Sequence, residues 1–186
     1  TTLTWRFAAR YCNWLHNGKA TDQAAFESGA YDTSTFTKNA DGSINDQPVH
    51  SPGAKYWIPT ENEWVKAAFY DPKKDGVGGY WQYPNGTDTP LIPGPPGVGQ
   101  TNAGTWPGDT HGWFNVGSYP DTKSPWGLLD VSGGAAEWNE NLAIDVRVTR
   151  GSDRLSQFPE WIDRIERSTG DYPWFDGYTG LRLASS

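Results

Sequence analysis

Residues 124–139, Ser-Pro-Trp-Gly-Leu-Leu-Asp-Val-Ser-Gly-Gly-Ala-Ala-Glu-Trp-Asn, constrain the fold more than any other stretch. Two carboxylates, Asp130 and Glu137, flank six small or uncharged residues, and Gly133-Gly134 can take positive φ and let backbone approach closely. Such a loop can turn its carbonyls inward. Calcium takes six to eight oxygens from carboxylates, carbonyls and water, which this loop could supply, although no EF-hand pattern is present. A glycine-rich turn with solvated acids accounts for the same spacing.

The stretch resembles the hallmark of the formylglycine-generating, or sulfatase-modifying-factor, family, roughly Ser-Pro-Tyr-Gly-Leu-Tyr-Asp-Met-x-Gly-Asn-Val-Trp-Glu-Trp. Trp126, Gly127, Leu128, Asp130, Gly133, Glu137 and Trp138 occupy matching positions. Two departures are Gly134 for the usual Asn and Ala136 for the usual first Trp. The resemblance implies a structural calcium with Asp130, Gly133, Ala135 and Glu137 as ligands. Asn102, Ala103 and Asp109, with carbonyls near Gly112, fall where many family members place a second calcium.

Further along, the resemblance covers most of the chain, Trp5 to Ala184. Ala-Arg-Tyr-Cys-Asn-Trp-Leu is similar to the family's first long helix, and Ile58 to Tyr70 matches Leu-Pro-Thr-Glu-x-Glu-Trp-Glu-Lys-Ala-Ala-x-Tyr almost residue for residue. Tyr83-Pro84-Asn85-Gly86 and the closing Gly180-Leu181-Arg182-Leu183-Ala184 also correspond. The implied fold is α+β and C-type-lectin-like: two helices, short twisted antiparallel strands and long irregular loops. One domain over 1–186 is expected, without the family's N-terminal part; on that reading no partner for the closing strand is evident, and an upstream fragment or a neighbouring subunit would have to cover it.

Residue patterns support the same outline. Trp5, Ala8, Ala9, Cys12 and Leu15 recur at helical spacing between Thr4 and Asn17, and Asn17-Gly18 stops the helix. Thr60 and Glu63 form a capping box for a second helix that Asp71-Pro72 ends. Lys19 to Lys55 reads as a long excursion with a hairpin near Asp41-Gly42 and with His50 on the surface; Val146 to Ser152 alternates as a half-buried strand. Asn85-Gly86-Thr87 is a glycosylation sequon, and Pro90 to Gly99 an ordered loop.

Composition narrows the function. A net charge of −7 disfavours nucleic acid and anionic membranes as partners, and no run is long and apolar enough for a membrane span. Hydrophobic residues are only 35%, but 11 Trp, 9 Tyr and 7 Phe must supply much of the core. The chain has one cysteine, Cys12, in helical context, whereas the family's enzymes bind copper through a C-terminal cysteine pair. Where that pair would lie, 153–178 offers Phe158, Trp161, Tyr172, Trp174, Phe175 and Tyr178 among charged residues, suited to sugars or proteins or else to filling the core.

The expectation is therefore a non-catalytic, calcium-stabilised extracellular or surface domain that binds a protein or polysaccharide, or assembles into an oligomer, with Trp161, Tyr172, Trp174 and Tyr178 as ligand-binding residues. Two alternatives remain. One is a metal-dependent oxidoreductase of the formylglycine-generating or sulfoxide-synthase type; the other is a diversified receptor of phage or retroelement type.

Overall fold

The computed structural model describes residues 3–105, 114–175, 177 and 179–186. In chain order its elements are α1 (Trp5–His16), α2 (Ala24–Glu27), β1 (Tyr56–Trp57), α3 (Glu61–Phe69), β2 (Tyr70–Asp71), β3 (Gly79–Tyr80), β4 (Ala136–Ala143), β5 (Val146–Arg150), α4 (Pro159–Ile162), β6 (Thr169–Asp171), β7 (Thr179–Gly180) and β8 (Ala184–Ser185). Two helices of useful length and many two-residue strands make this a mixed α/β, loop-rich fold. The chain packs as two compact units: 1–61 with 137–149 and 169–186, and 62–136 with 150–168.

The first unit is built on α1. Thr4 caps it by accepting from Phe7 N, and Asn17 closes it. Trp5, Ala8, Ala9 and Cys12 then face a core completed by Ala30, Tyr31, Ala54, Ile58 and Trp138. The two central tryptophans are not left with orphan donors: Trp5 Nε1 donates to Asn139 O at 3.1 Å, and Trp138 Nε1 to Leu3 O at 2.7 Å. Its four-stranded sheet runs β6-β5-β4-β7, with Arg147 opposite Asp171 and Thr149 opposite Thr169. The expected turn at Asp41-Gly42 is present, closed by the antiparallel bridge Lys38–Ile44.

Two expectations need correction here. The closing strand is two short strands, each paired inside the chain: β7 lies beside β4, and β8 pairs with β1, Trp57 opposite Ala184. His50, expected on the surface, is half-buried instead, its Nδ1 3.0 and 3.1 Å from the two oxygens of buried Glu140 and its ring stacked on Trp57 at 4.5 Å.

Glu140 also accepts from Tyr31 OH at 2.8 Å and from His50 N. On the neighbouring strand, Arg147 lies fully buried with its Cζ 3.6 Å from the Trp5 ring centre, and it donates to Gln47 O at 2.7 Å, Pro48 O at 3.3 Å and Glu140 O. These two side chains fasten the polar excursion before β1 to the sheet.

In the second unit Trp64, Ala68 and Phe69 of α3 pack on Val131, with Val65, Leu128 and Ile165 around them. Helix α3 stops at Phe69, two residues before Asp71, because Tyr70–Asp71 pairs with Gly79–Tyr80 as a hairpin. The 90–99 loop is ordered by a close approach: a Cβ on Gly99 would sit 2.5 Å from Gly94 Cα, so only glycine fits. Arg150 donates to Ile165 O at 2.7 Å and to Arg167 O, its Cζ 5.5 Å from the Trp64 ring.

Candidate loop and aromatic surfaces

Within the second unit the 124–136 stretch is a chain of tight turns. Ser124 Oγ accepts from Leu128 N at 3.2 Å, and Gly127 has φ +83°. Asp130 itself is left-handed at φ +56°, a conformation Asp tolerates better than most residues, and Gly133 and Gly134 follow at +76° and +68°.

Each turn residue has a partner. Asp130 Oδ2 accepts from Gly117 N at 2.7 Å. Gly133 N donates to Ser152 Oγ at 2.9 Å, and Gly134 N to Asn102 Oδ1 at 2.7 Å. Gly133 cannot be replaced by a larger residue without movement, since its Cβ would lie 2.4 Å from Asn102 Oδ1 and 2.6 Å from Thr101 Oγ1. Gly133 of one candidate calcium position is thus brought against Asn102 and Ala103 of the other.

Beneath the loop lies Asp163, a residue the pattern of apolar and glycine positions did not single out. Its Oδ2 accepts from Ser132 Oγ at 2.5 Å and Ser152 Oγ at 2.9 Å, while Oδ1 has no hydrogen-bond partner among the described residues. Burial pushes this carboxyl up to about 6, against the pull of the two serine hydroxyls.

A small cavity of about 10 Å³ adjoins Asp130, with Gln100, Tyr119, Ser124 and Ser132 in its wall, room for about one water or an ion of that size. Tyr119 is pushed up to about 12 by burial and then by the charge of Asp130, while its OH donates to Gly94 O at 2.9 Å. Asp130 lines this cavity, whereas Gly133 and Gly134 do not, and Gly134 O accepts from Arg154 N at 3.4 Å. Among the described residues no three of His, Cys, Asp and Glu are grouped so as to hold a metal ion. Asn102 Oδ1 already serves Gly134, and Asp109 and Gly112 lie outside the described residues.

Glu137, in the first unit, is 9% exposed and held by Arg182 in a two-pronged pair. Both arginines of the alternating strands have structural partners: Arg150 bridges carbonyls and Arg182 a carboxylate.

The predicted ligand-binding aromatics are solvent-facing rather than core. In the first unit Tyr172 and Trp174 stack at 5.1 Å and 14°, exposed by 43% and 38%. In the second, Trp161 on α4 is 53% exposed and covered on one face by the Arg167 guanidinium, 3.2 Å from the ring centre. Tyr178 lies outside the described residues. Cys12 is at 0% exposure, and burial above all, then Glu140, pushes its thiol up to about 12.

The sulfatase-modifying factor enzyme 1-like domain model matches residues 1–186. The chain belongs to this family.

Solved structures agree on the fold of this family domain. CarF superposes with a TM-score of 0.62 at 20% identity, over 98% of this chain and 65% of CarF. Variable protein 1 of Treponema denticola gives 0.60 at 19%, over 99% and 69%, and PvdO of Pseudomonas aeruginosa 0.52 at 15%, over 98% and 59%. The chain thus spans about two thirds or less of these proteins. Among curated proteins none matches. No helix of the described residues is long and apolar enough to cross a membrane.

Proposed function

We propose that this family domain is a non-catalytic, calcium-stabilised binding or assembly domain working outside the cell or at its surface, with a protein or polysaccharide as ligand. One observation carries the reading: the single cysteine of the chain is sealed in the core with its thiol raised to about 12. A copper site of the family's enzymes needs two thiolates, and a thiol this buried is no nucleophile at neutral pH. Where the cysteine pair would lie, the chain presents Trp161, Tyr172 and Trp174 to solvent. Amphipathic rings held rigidly at a surface supply contact area at low entropic cost.

Calcium belongs to the same proposal. The family resemblance implies Asp130, Gly133, Ala135 and Glu137 for one ion and Asn102, Ala103 and Asp109 for a second; Asp130 with the Gly133 and Ala135 carbonyls would hold the first, since both oxygens of Glu137 are taken by Arg182. Bound there, calcium supplies a cross-link that stiffens an irregular loop rather than any reaction step.

Oxygen consumption with a cysteine-containing peptide, in copper- and then iron-loaded buffer, tests the reading. The expected result is none above buffer; sustained turnover would overturn it in favour of an oxidoreductase.

A further inference from the structure

We propose that the outward face of α1, continued by the 172–175 loop, is the platform on which an anionic polysaccharide lies; this rests on the reading of the chain as a binding domain. Helix α1 carries apolar residues on two opposite sides. Trp5, Ala8, Ala9 and Cys12 fill the core. On the other side Phe7 is 62% exposed and Tyr11 38%, with Trp14 half-buried beside them. At 3.6 residues per turn, positions 7, 11 and 14 fall within one sector of roughly 60°. Trp14 stacks on Phe26 of α2 at 6.4 Å and Tyr11 lies on Trp14 at 5.5 Å, which leaves Tyr11 and Phe7 as the exposed part of the row, and contiguous exposed apolar surface marks a binding face.

The row does not end with the helix. Arg6 N donates to Pro173 O at 3.1 Å, which ties the 172–175 loop to the first turn. Tyr172, Trp174 and Phe175 are exposed there by 43%, 38% and 48%.

Charge decides the kind of occupant. The chain as a whole carries −7, yet α1 contains Arg6 and Arg10 and no acid. Exposed Lys38 places Nζ 4.9 Å from the Trp174 ring centre, and exposed Lys19 lies 5.9 Å from that of Trp14. Asp46 neutralises Arg6, and Glu27 lies 3.6 Å from Arg10, but neither lysine has an ion pair among the described residues. An anionic ligand meets two uncommitted cations set beside ring faces.

Shape decides between polymers. The rings stand on the convex surface of a helix, and none of Phe7, Tyr11, Trp14, Tyr172 and Trp174 lines the two small cavities formed around Asp130 and around Asp163. A protein partner needs pockets for its anchoring side chains. A polysaccharide needs only repeated platforms for the C–H faces of its rings. Along the axis positions 7, 11 and 14 are spaced by about 6 and 4.5 Å, close to the length of one pyranose.

The test is a titration of the whole chain, by tryptophan fluorescence and calorimetry, with polygalacturonate, a sulfated galactan, a neutral galactan and polyglutamate. Binding is expected to one or both anionic glycans, the better one identifying carboxylate or sulfate as the preferred group, and to weaken by about tenfold or more for the neutral polymer. Phe7→Ala with Tyr11→Ala should lose about tenfold in affinity at an unchanged circular dichroism spectrum, and Lys38→Ala, whose side chain is exposed, should lose affinity at an unchanged melting temperature. Binding of neither anionic glycan, equal binding of the neutral one, equal binding of polyglutamate, or full affinity in both variants would overturn the proposal. Loss in Trp174→Ala alone would also overturn the α1 platform while leaving the aromatic surface of the proposed function in place; oxygen turnover would remove that function itself.

Discussion

Arg182 meets Glu137 through two parallel hydrogen bonds, Nε to Oε2 at 2.9 Å and Nη2 to Oε1 at 2.8 Å. A planar fork fits a carboxylate in this way and an ammonium does not. Arg182→Lys should cost about 1–2 kcal/mol, a fall of a few degrees in melting temperature for a chain of this size. Scanning calorimetry decides it: a variant that melts like the parent would show that the pair is not structural.

Calcium bound to the folded state stabilises by RT ln(1 + [L]/Kd), about 2.7 kcal/mol at a hundredfold excess. Chelation in metal-free buffer should lower the melting temperature by several degrees, and Asp130→Ala, which removes the carboxylate that lines the cavity, should abolish that response. An unchanged melt on chelation would remove calcium from the proposal.

The glycine pair separates strain from collision. Gly134 has φ +68° with nothing within 4 Å of a Cβ, whereas Gly133 at +76° would drive a methyl into Asn102 and Thr101. Gly134→Ala should cost about 1–2 kcal/mol from the left-handed backbone alone, and Gly134→Asn less. Gly133→Ala should cost clearly more. Equal denaturation midpoints for the two alanine variants would refute this account of the loop.

Asp163 makes stability depend on pH in an unusual direction. Its folded value, about 6, lies above the ordinary 3.8, so the folded state binds the proton more tightly. Protonation of the folded state as pH falls from above 6 towards 4 therefore stabilises, by up to roughly 3 kcal/mol, and the gain is lost as pH rises through 6. Asp32 and Asp41, lowered by hydrogen bonds to Ser34 and Ser43, act in the opposite sense. The difference between parent and Asp163→Asn isolates the effect: the variant should lack the rise between pH 7 and 5. Parallel stability curves would show that Asp163 ionises normally.

Cys12 should resist a thiol reagent in the folded protein and react once denaturant opens the core. Cys12→Ser, which buries a hydroxyl in an apolar stripe, should cost about 1–3 kcal/mol. Rapid labelling under native conditions would contradict the burial and weaken the non-catalytic reading with it.

Local chemistry made much of this protein legible in its sequence. The spacing of Trp5, Ala8, Ala9 and Cys12 defines the inner face of α1, Thr4 and Asn17 its ends, and Asp41-Gly42 a turn, because each depends on neighbours within a few residues. The similarity of 58–70 and 124–138 to one family carried the fold. Strand β4 escaped such reading because Glu137, Asn139 and Glu140 look like solvent-facing residues; they can be buried only because Arg182, Trp5, Tyr31 and His50 come from up to 134 residues away to satisfy them or their backbone. Asp163 was hidden for the same reason, since its serines lie 31 and 11 residues off. Tertiary structure also decided that Trp161, Tyr172 and Trp174 face water, because an aromatic residue's spacing is the same on a core face and on a binding face. A buried polar group is stable only with its partners in place, and those partners are assembled by the fold, not by the local chain.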